Sequence, residues 1–95
     1  MIPSHRTPTH PGEILREEFL APLGLTQCAL AEHIGVPARH IGEIVRGRRS
    51  VTPSSAWLLA QAFDTTPEFW LNLQATYDLA KSRPPRAIRR LPRAG

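Results

Sequence analysis

The sequence predicts an all-α fold of five short helices, and three features of the 95-residue chain support this prediction. Apolar residues recur at the three- and four-residue intervals of a helix face. Threonine stands directly before proline at Thr52 and at Thr66, as suits the N-cap and the first position of a helix. Glycine or proline lies between successive periodic segments, which indicates where one helix ends and the next begins.

The first predicted helix begins near Pro11 and is closed by Pro22 and Gly24. Leu15 and Phe19 are four residues apart, so both side chains lie on one face. The same helix is rich in acidic residues, which are Glu13, Glu17 and Glu18. This acidic surface is either a partner site for a basic protein or an ordinary solvated helix face.

The second predicted helix runs from its N-cap Thr26 to Ile34, and the third runs from Pro37 to Arg46. Gly35 can adopt the positive φ that ends the second helix and turns the chain. Two short helices joined by such a tight turn are typical of a helix-turn-helix.

Apolar positions in this segment have the spacing that a helix-turn-helix requires. Ala31 is small where two helices cross closely, and Ile41 and Ile44 are three residues apart, so both point inward. A helical wheel at about 100° per residue leaves the opposite face of the third helix free for a ligand. Four residues lie on this outer face: Arg39, Gly42, Glu43 and Arg46.

The fourth helix follows Thr52 and carries Trp57, Leu58, Leu59 and Ala60 on its way to Phe63. Trp57 and Trp70 are expected in the core or at an interface. The fifth helix follows Thr66, ends near Ser82 and has two apolar arcs. The arc expected to cover the core contains Phe69, Trp70, Leu73, Tyr77 and Ala80. The other arc contains Leu71, Ala75 and Leu79. It needs a second surface, and the same helix of another copy is the simplest one, so a homodimer is expected.

Charge is distributed unevenly over a chain whose net charge is +4. Residues 1–80 contain six arginines and all eight acidic residues, whereas residues 81–95 contain Lys81 and five arginines without an acid. The sequence therefore predicts an N-terminal arm at residues 1–9, a helical domain at 10–82 and a basic proline- and arginine-rich tail at 83–95. The tail composition does not support an independent fold.

Several function classes find no support in the sequence. No apolar run is long enough for a membrane span or a signal peptide, and Cys28 is the single cysteine, so a cytoplasmic location without a disulfide is expected. Cys28 itself is expected to be a small buried hydrophobe. The four histidines lack the spacing of a metal site, and no catalytic glycine, serine or histidine motif is present. We therefore expect no enzymatic activity, no metal and no cofactor.

Arginines at and beyond the third helix indicate binding of double-stranded DNA. Arg39 and Arg46 are seven residues apart on one face, where each can hold a guanine edge through two hydrogen bonds. Arg48 and Arg49 follow Gly47 and suit phosphate contacts, although a solvated charge cluster is the alternative.

The other candidate DNA contacts come from helix ends and from polar residues of the third helix, and comprise Thr26, Gln27, His40, Gly42 and Glu43. Thr26 and Gln27 stand at a helix N-terminus, where backbone N–H groups attract phosphate, although Thr26 can also act as a cap alone. Gly42 either permits close approach to the groove or is incidental. Glu43 either orients Arg39 or accepts from cytosine. Ser50, Thr52 and Ser54 form a possible second phosphate clamp at the start of the fourth helix.

Motifs spread over residues 8–82 resemble the HigA family of bacterial antitoxins, within the wider lambda-repressor-like class of helix-turn-helix proteins. The motifs that carry the resemblance include His10-Pro11-Gly12-Glu13, Leu25-Thr26-Gln27, Gly35-Val36-Pro37, Gly47-Arg48-Arg49 and Pro67-Glu68-Phe69-Trp70-Leu71-Asn72-Leu73-Gln74. The opening motif and the closing Phe69–Gln74 are specific to this family, whereas the helix-turn-helix alone is common to many repressors. Gly42 and Arg46 depart from the serine and asparagine that this family often carries. The basic tail lies outside the resemblance.

The resemblance implies an antitoxin that binds a HigB-type toxin, a small endoribonuclease that cleaves messenger RNA. It also implies a dimer that binds operator DNA and represses its own operon. Two alternatives remain at this stage. One is a stand-alone helix-turn-helix repressor without a toxin, and the other is an adaptor whose arginine tail binds RNA or an anionic membrane.

Overall fold

A computed structural model describes residues 8–93, which contain five helices and no strand. Of the N-terminal arm expected at residues 1–9, residues 1–7 lie outside the described range. The first helix, α1, is continuous from Pro11 to Leu23, and Gly24 ends it at a φ of 61°. Pro11 and Gly24 therefore bound this helix as the sequence predicts, whereas Pro22 lies inside its last turn rather than closing it.

Helix α1 widens in its middle. It begins as the α-helix Pro11–Ile14, continues as the π-helix Leu15–Leu20 and returns to an α-helix over Ala21–Leu23. The wide segment ends just before Pro22, whose ring would clash with the carbonyl four residues earlier in a regular α-helix. In the wider spiral, the Ala21 N–H donates to the carbonyl of Arg16, five residues back.

The other four helices are α2 (Gln27–Ile34), α3 (Ala38–Val45), α4 (Pro53–Phe63) and α5 (Pro67–Lys81). Threonine caps three of them as the sequence predicts, because the hydroxyls of Thr26, Thr52 and Thr66 each accept a backbone N–H three residues ahead. Such a cap stabilises a helix by about 1 kcal/mol. These caps fix where α2, α4 and α5 begin.

The core is formed by apolar residues from all five helices and the α3–α4 loop (residues 46–52). Trp70 of α5 is its largest fully buried side chain, and its indole N–H donates to Thr65 at 2.8 Å. The other buried apolar residues are Leu15, Leu20, Leu30, Ala31, Ile41, Ile44, Val51, Ala56, Leu59 and Ala60. The inward positions expected for the two helices of the helix-turn-helix are thus confirmed.

Helices α1 and α3 meet at Gly12, where a Cβ atom would overlap the backbone carbonyl of Ile44. Only glycine fits this position without moving one of the two helices. His10 caps the same end of α1, since its Nδ1 accepts the N–H of Gly12 at 2.9 Å. Burial lowers the pKa of His10, against the opposing effect of the Asp78 carboxylate, so the neutral ring required by this cap is favoured.

The core face of α5 differs from the expected one. Its buried residues are Trp70 and Gln74, whereas Phe69 and Ala80 of the expected core arc are exposed. Leu71, expected on the second arc, packs against the edge of the core. The helical wheel predicted the wrong face because only apolar residues were assigned to the core arc. Gln74 is polar but lies one turn beyond Trp70 on the same buried face. The arc left in solvent therefore reduces to Ala75 and Leu79.

One further expectation about burial is wrong, and one of the two alternatives for Trp57 is excluded. Cys28 is exposed, because Leu30 and Ala31 set the inward face of α2 and Cys28 points away from it. Trp57, expected in the core or at an interface, is 59% exposed and lies outside the core, so a position at an interface stays a prediction. Helix α4 instead packs through Ala56, Leu59 and Ala60, whose spacing of three and four residues leaves Trp57 at the flank.

The chain after α5 extends away from the helices. Residues 83–93 contain no helix, and all of them are exposed. The Cα radius of gyration is 16.6 Å, compared with about 12 Å for a compact chain of this length. No helix in the range 8–93 is long and apolar enough to cross a lipid bilayer.

Candidate nucleic-acid interface

The turn between α2 and α3 places these helices in the geometry of a helix-turn-helix. Gly35 has a φ of 77°, and its N–H and that of Val36 both donate to the carbonyl of Ala31. Pro37 then precedes the first residue of α3 in extended conformation. Ile41 and Ile44 anchor α3 in the core, so its opposite face is open to solvent. We refer to α3 as the reading helix.

Gly42 lies on the reading helix beneath two long side chains. A Cβ atom there would lie 3.2 Å from Nη1 of Arg46 and 3.4 Å from Oε1 of Gln27, and Gly42 is buried as a result. Both covering side chains end in flexible polar groups on the expected DNA-facing surface. The absence of a side chain at Gly42 therefore leaves room for Arg46 and Gln27 to pack over it, and Gly42 itself has little exposed surface.

Glu43 is the centre of an ion-pair network on the reading helix. Its Oε1 accepts from Nε of Arg49 at 2.9 Å and from Nη2 at 2.6 Å, while Oε2 lies 3.9 Å from Nε of Arg39. The hydrogen bond from Arg49 holds the pKa of the Glu43 carboxyl below its usual range, with further lowering by the charges of Arg49, Arg39 and Arg46. Glu43 thus orients arginines at both ends of its helix.

The two arginines beyond Gly47 consequently differ, although the sequence groups them together. Gly47 has a φ of 74°, and this turn brings Arg49 back to Glu43. Arg48 is exposed and has no acidic partner within 4 Å among the described residues. Arg48 is therefore the freer of these two cations, and Arg49 could contact a phosphate only by sharing or leaving Glu43.

The remaining candidate residues flank the reading helix. The Thr26 hydroxyl accepts the N–H of Ala29 at 3.0 Å, so it is a cap, while Gln27 reaches over Gly42. His40 is half-buried at the edge of α3. Thr52 is held in a capping box with Ser55, so its hydroxyl is already engaged. No cluster of three metal-ligating side chains occurs between residues 8 and 93.

A cleft of about 280 Å³ separates the α3–α4 loop from the end of α5. It is lined by His10, Gly47, Arg48, Arg49, Ser50, Gln74, Tyr77, Asp78, Lys81 and Ser82. Lys81 Nζ lies 5.1 Å from the centroid of the Tyr77 ring, a cation–π contact that holds the ammonium group beside the cleft. The lining thus brings the cations Arg48, Arg49 and Lys81 close to one another, together with the carboxylate of Asp78.

A buried hydrogen bond joins the two sides of this cleft. The N–H of Val51 donates to Oε1 of Gln74 at 2.8 Å, and Nε2 of Gln74 donates to Oδ1 of Asp78 at 3.0 Å. The sequence analysis did not place Gln74 or Lys81 among the candidate site residues. A polar residue four positions after a buried tryptophan was the signal for Gln74, since a buried amide requires partners.

This surface can contact DNA through both recognition modes. Arg39 and Arg46 project from the outer face of the reading helix, which suits base edges in a major groove. Arg48 and the N-terminus of α2 flank that face and suit the phosphates on either side. The described residues thus bring the two classes of candidate contact together at one end of the domain.

Comparison with known proteins places this geometry in a family. Residues 15–70 match the family described as Helix-turn-helix. Antitoxin HigA-1 of Vibrio cholerae is 42% identical over 83 residues, which are 87% of this chain and 78% of that protein. Virulence-associated protein I of Dichelobacter nodosus is 49% identical over 70 residues, which are 74% of this chain but only 65% of that protein.

A solved structure extends the match to the whole fold. The structure of antitoxin GraA in complex with its operator superposes with a TM-score of 0.84 and 38% identity, covering 98% of this chain and 100% of that one. The matched helix-turn-helix and the 42% identity to a HigA antitoxin agree with the motifs in the sequence. This chain therefore belongs to the HigA family of helix-turn-helix antitoxins.

Proposed function

We propose that this protein is an antitoxin that binds operator DNA as a dimer, represses its own operon and neutralises a HigB-type ribonuclease toxin. The observation that carries the DNA-binding part is the reading helix, with Arg39 and Arg46 exposed on the face opposite the buried Ile41 and Ile44. A relative of the same fold, GraA, has been solved on its operator.

Specific reading rests on Arg39 and Arg46, and positioning rests on Arg48 and the N-terminus of α2. A guanidinium that holds the O6 and N7 atoms of guanine discriminates against other bases by about 1–3 kcal/mol. Phosphate contacts add affinity without sequence preference. The two groups are therefore separable by mutation.

Replacing Arg39 or Arg46 with alanine is expected to weaken operator binding by about 1–3 kcal/mol, roughly 5- to 150-fold, with little effect on random duplex DNA. The operator is defined by footprinting the DNA directly upstream of the coding sequence, and affinities are measured by fluorescence anisotropy. Arg16→Ala on α1 is the matched control. Equal losses on operator and random DNA would reduce both residues to phosphate contacts.

Glu43→Gln is expected to strengthen binding to random duplex DNA, because it removes a negative charge from the reading helix and releases Arg49. The slope of log K against log salt should steepen by about 1 for each phosphate newly contacted. The control is Glu32→Gln, which neutralises an exposed carboxylate on α2. An unchanged slope would show that Arg49 gains no phosphate contact on release.

A homodimer suits this site because each reading helix covers one half-site, and paired half-sites require a two-fold protein. Ala75 and Leu79 remain the exposed apolar residues of the second arc, and Leu79 is 73% exposed in the single chain. Leu71 packs against the core and lies next to them, so it can contribute at the edge of such an interface. We therefore place the dimer contact on the outer face of α5.

Leu79→Glu is expected to shift the protein to monomers in light scattering and to weaken operator binding, because the two half-sites lose their coupling. Ala80→Glu is the matched control, since it adds the same charge at an exposed position one residue away on another face of α5. Leu71→Glu is less informative because it also disturbs the core. If the Leu79→Glu protein remains dimeric, the dimer contact does not lie on the outer face of α5.

Toxin neutralisation is supported by family membership and by the acidic surface of α1. A ribonuclease presents cations to bind phosphate, so an acidic partner surface favours its capture. Arg16 lies 3.9 Å from Glu13 and 3.2 Å from Glu17, which leaves a surface charge of −2 when Glu18 is included. The support from charge is therefore weaker than the sequence count of three carboxylates suggests.

Co-expression with a small basic protein encoded beside this chain is expected to relieve the growth arrest that protein causes alone, and the two should co-purify. Glu17→Gln combined with Glu18→Gln should weaken the complex and make it less salt-sensitive. Glu32→Gln is the control on another helix. A neighbouring gene that causes no arrest, or a solitary gene, would favour the stand-alone repressor.

A further inference from the structure

The basic tail is the largest charged feature that the proposed function does not use. Residues 83–93 follow α5, are exposed throughout and carry five arginines, namely Arg83, Arg86, Arg89, Arg90 and Arg93. None of them has an acidic partner within 4 Å among the described residues. The tail therefore presents its full positive charge to solvent.

The tail begins beside the DNA-facing surface. Ser82 and Lys81 line the same cleft as Arg48 and Ser50 of the α3–α4 loop. The buried hydrogen bond from Val51 to Gln74 fixes that loop against α5, so the starting point of the tail is fixed relative to the reading helix. A phosphate near Arg48 therefore lies next to Lys81 and the first residues of the tail.

The length of the tail defines how far it reaches along a duplex. Eleven residues in the extended polyproline-like conformation that Pro84, Pro85 and Pro92 favour span roughly 34 Å at about 3.1 Å each. Successive nucleotides along one strand of DNA are about 3.4 Å apart along the axis, so this distance corresponds to about ten base pairs. The tail can thus follow phosphates well outside the half-site.

The composition of the tail favours duplex DNA over the other polyanions. Residues 83–95 contain no aromatic side chain on which bases of single-stranded RNA could stack. The described part contains no helix, and Ile88 and Leu91 are its two large apolar residues, so it lacks the amphipathic face that binds a membrane surface. Its arginines do suit phosphate, which they bind with paired hydrogen bonds.

We propose that Arg48, Lys81 and the arginines of residues 83–93 form a continuous phosphate-binding track that extends each half-site contact onto flanking DNA. The track is independent of sequence and rests on the proposed DNA-binding function. It increases affinity for operators with intact flanks, because tethering next to the bound half-site keeps the tail at a high effective concentration of phosphate. Most of that gain depends on salt, since each neutralised phosphate releases counterions.

The test compares full-length wild-type protein with a variant in which all five tail arginines become glutamine. A second variant carries lysine at the same five positions and keeps the charge. Each binds the footprinted operator in two duplexes, one ending at the footprint and one with about ten added base pairs on each side. Anisotropy is measured between 50 and 200 mM salt, a range over which phosphate contacts dominate changes in affinity.

The glutamine variant is expected to lose the preference for the longer duplex and to have a salt slope lower by about 2 to 4.5 per protomer. Over this fourfold change in salt, that slope difference changes the ratio of wild-type to variant affinity by roughly 16- to 500-fold. The lysine variant should stay close to wild type. The longer duplex also offers more nonspecific binding positions, but this increase is the same for all three proteins.

The proposal would be overturned if the glutamine variant kept the wild-type salt slope and the wild-type preference for the longer duplex. Wild-type binding that is tighter to single-stranded RNA, or to phosphatidylglycerol vesicles, than to the longer duplex would overturn it as well. Failure of the wild-type protein to distinguish the operator from a scrambled duplex of equal length would instead refute the proposed function. The two failures are therefore distinguishable in one set of measurements.

Discussion

The position of the reading helix depends on the backbone contact between Gly12 and the carbonyl of Ile44. Any side chain at Gly12 would force α1 and α3 apart, and such overpacking generally costs about 1–3 kcal/mol. Next to this contact, His10 caps α1 and packs edge-on against Tyr77 of α5 at 4.8 Å between ring centroids. The His10-Pro11-Gly12 sequence at the start of the domain therefore forms the surface against which α3 packs.

A second constraint fixes the α3–α4 loop against α5. Gln74 is buried, and its amide accepts the N–H of Val51, which would otherwise be a buried donor without a partner at the end of the α3–α4 loop. An unsatisfied buried N–H costs about 1–3 kcal/mol, so the amide stabilises one arrangement of loop and helix. This hydrogen bond consequently fixes the end of the α3–α4 loop against α5, the helix from which the tail begins.

Most of the fold could be predicted from local chemistry, because the signals that end helices act over three or four residues. Thr26, Thr52 and Thr66 cap helices as expected, and Gly24 and Gly35 adopt the positive φ that ends the preceding helices. The misassigned faces involve competition between residues, which a helical wheel cannot evaluate. Cys28 was expected to be buried and is exposed, because Leu30 and Ala31 set the inward face of α2. Leu71 was expected on the outer arc and packs at the edge of the core, because Trp70 and Gln74 set the inward face of α5.

The candidate site was predicted less completely, since its geometry depends on a turn. Glu43 was expected to pair with Arg39 at the helical spacing of four residues, yet its shorter bonds go to Arg49, six residues away. The positive φ of Gly47 creates that pairing, and sequence spacing does not reveal how such a turn directs a side chain. Likewise, the burial of Gly42 depends on the conformations of Gln27 on α2 and of Arg46 just beyond the end of α3.

These contacts indicate how the free surface is prepared for DNA. Arg49 and, at a longer distance, Arg39 face Glu43, while Arg46 lies over Gly42, so three of the four arginines are oriented before any ligand arrives. Exposed ion pairs contribute little in water, whereas hydrogen bonds to a base edge form in a groove from which water is excluded. Under the proposed function, exchange of the internal contacts for DNA contacts is therefore favourable where the bases fit. Where the bases do not fit, the arginines would keep their contacts with Glu43 and Gly42, and phosphate contacts at Arg48 would hold the protein on DNA.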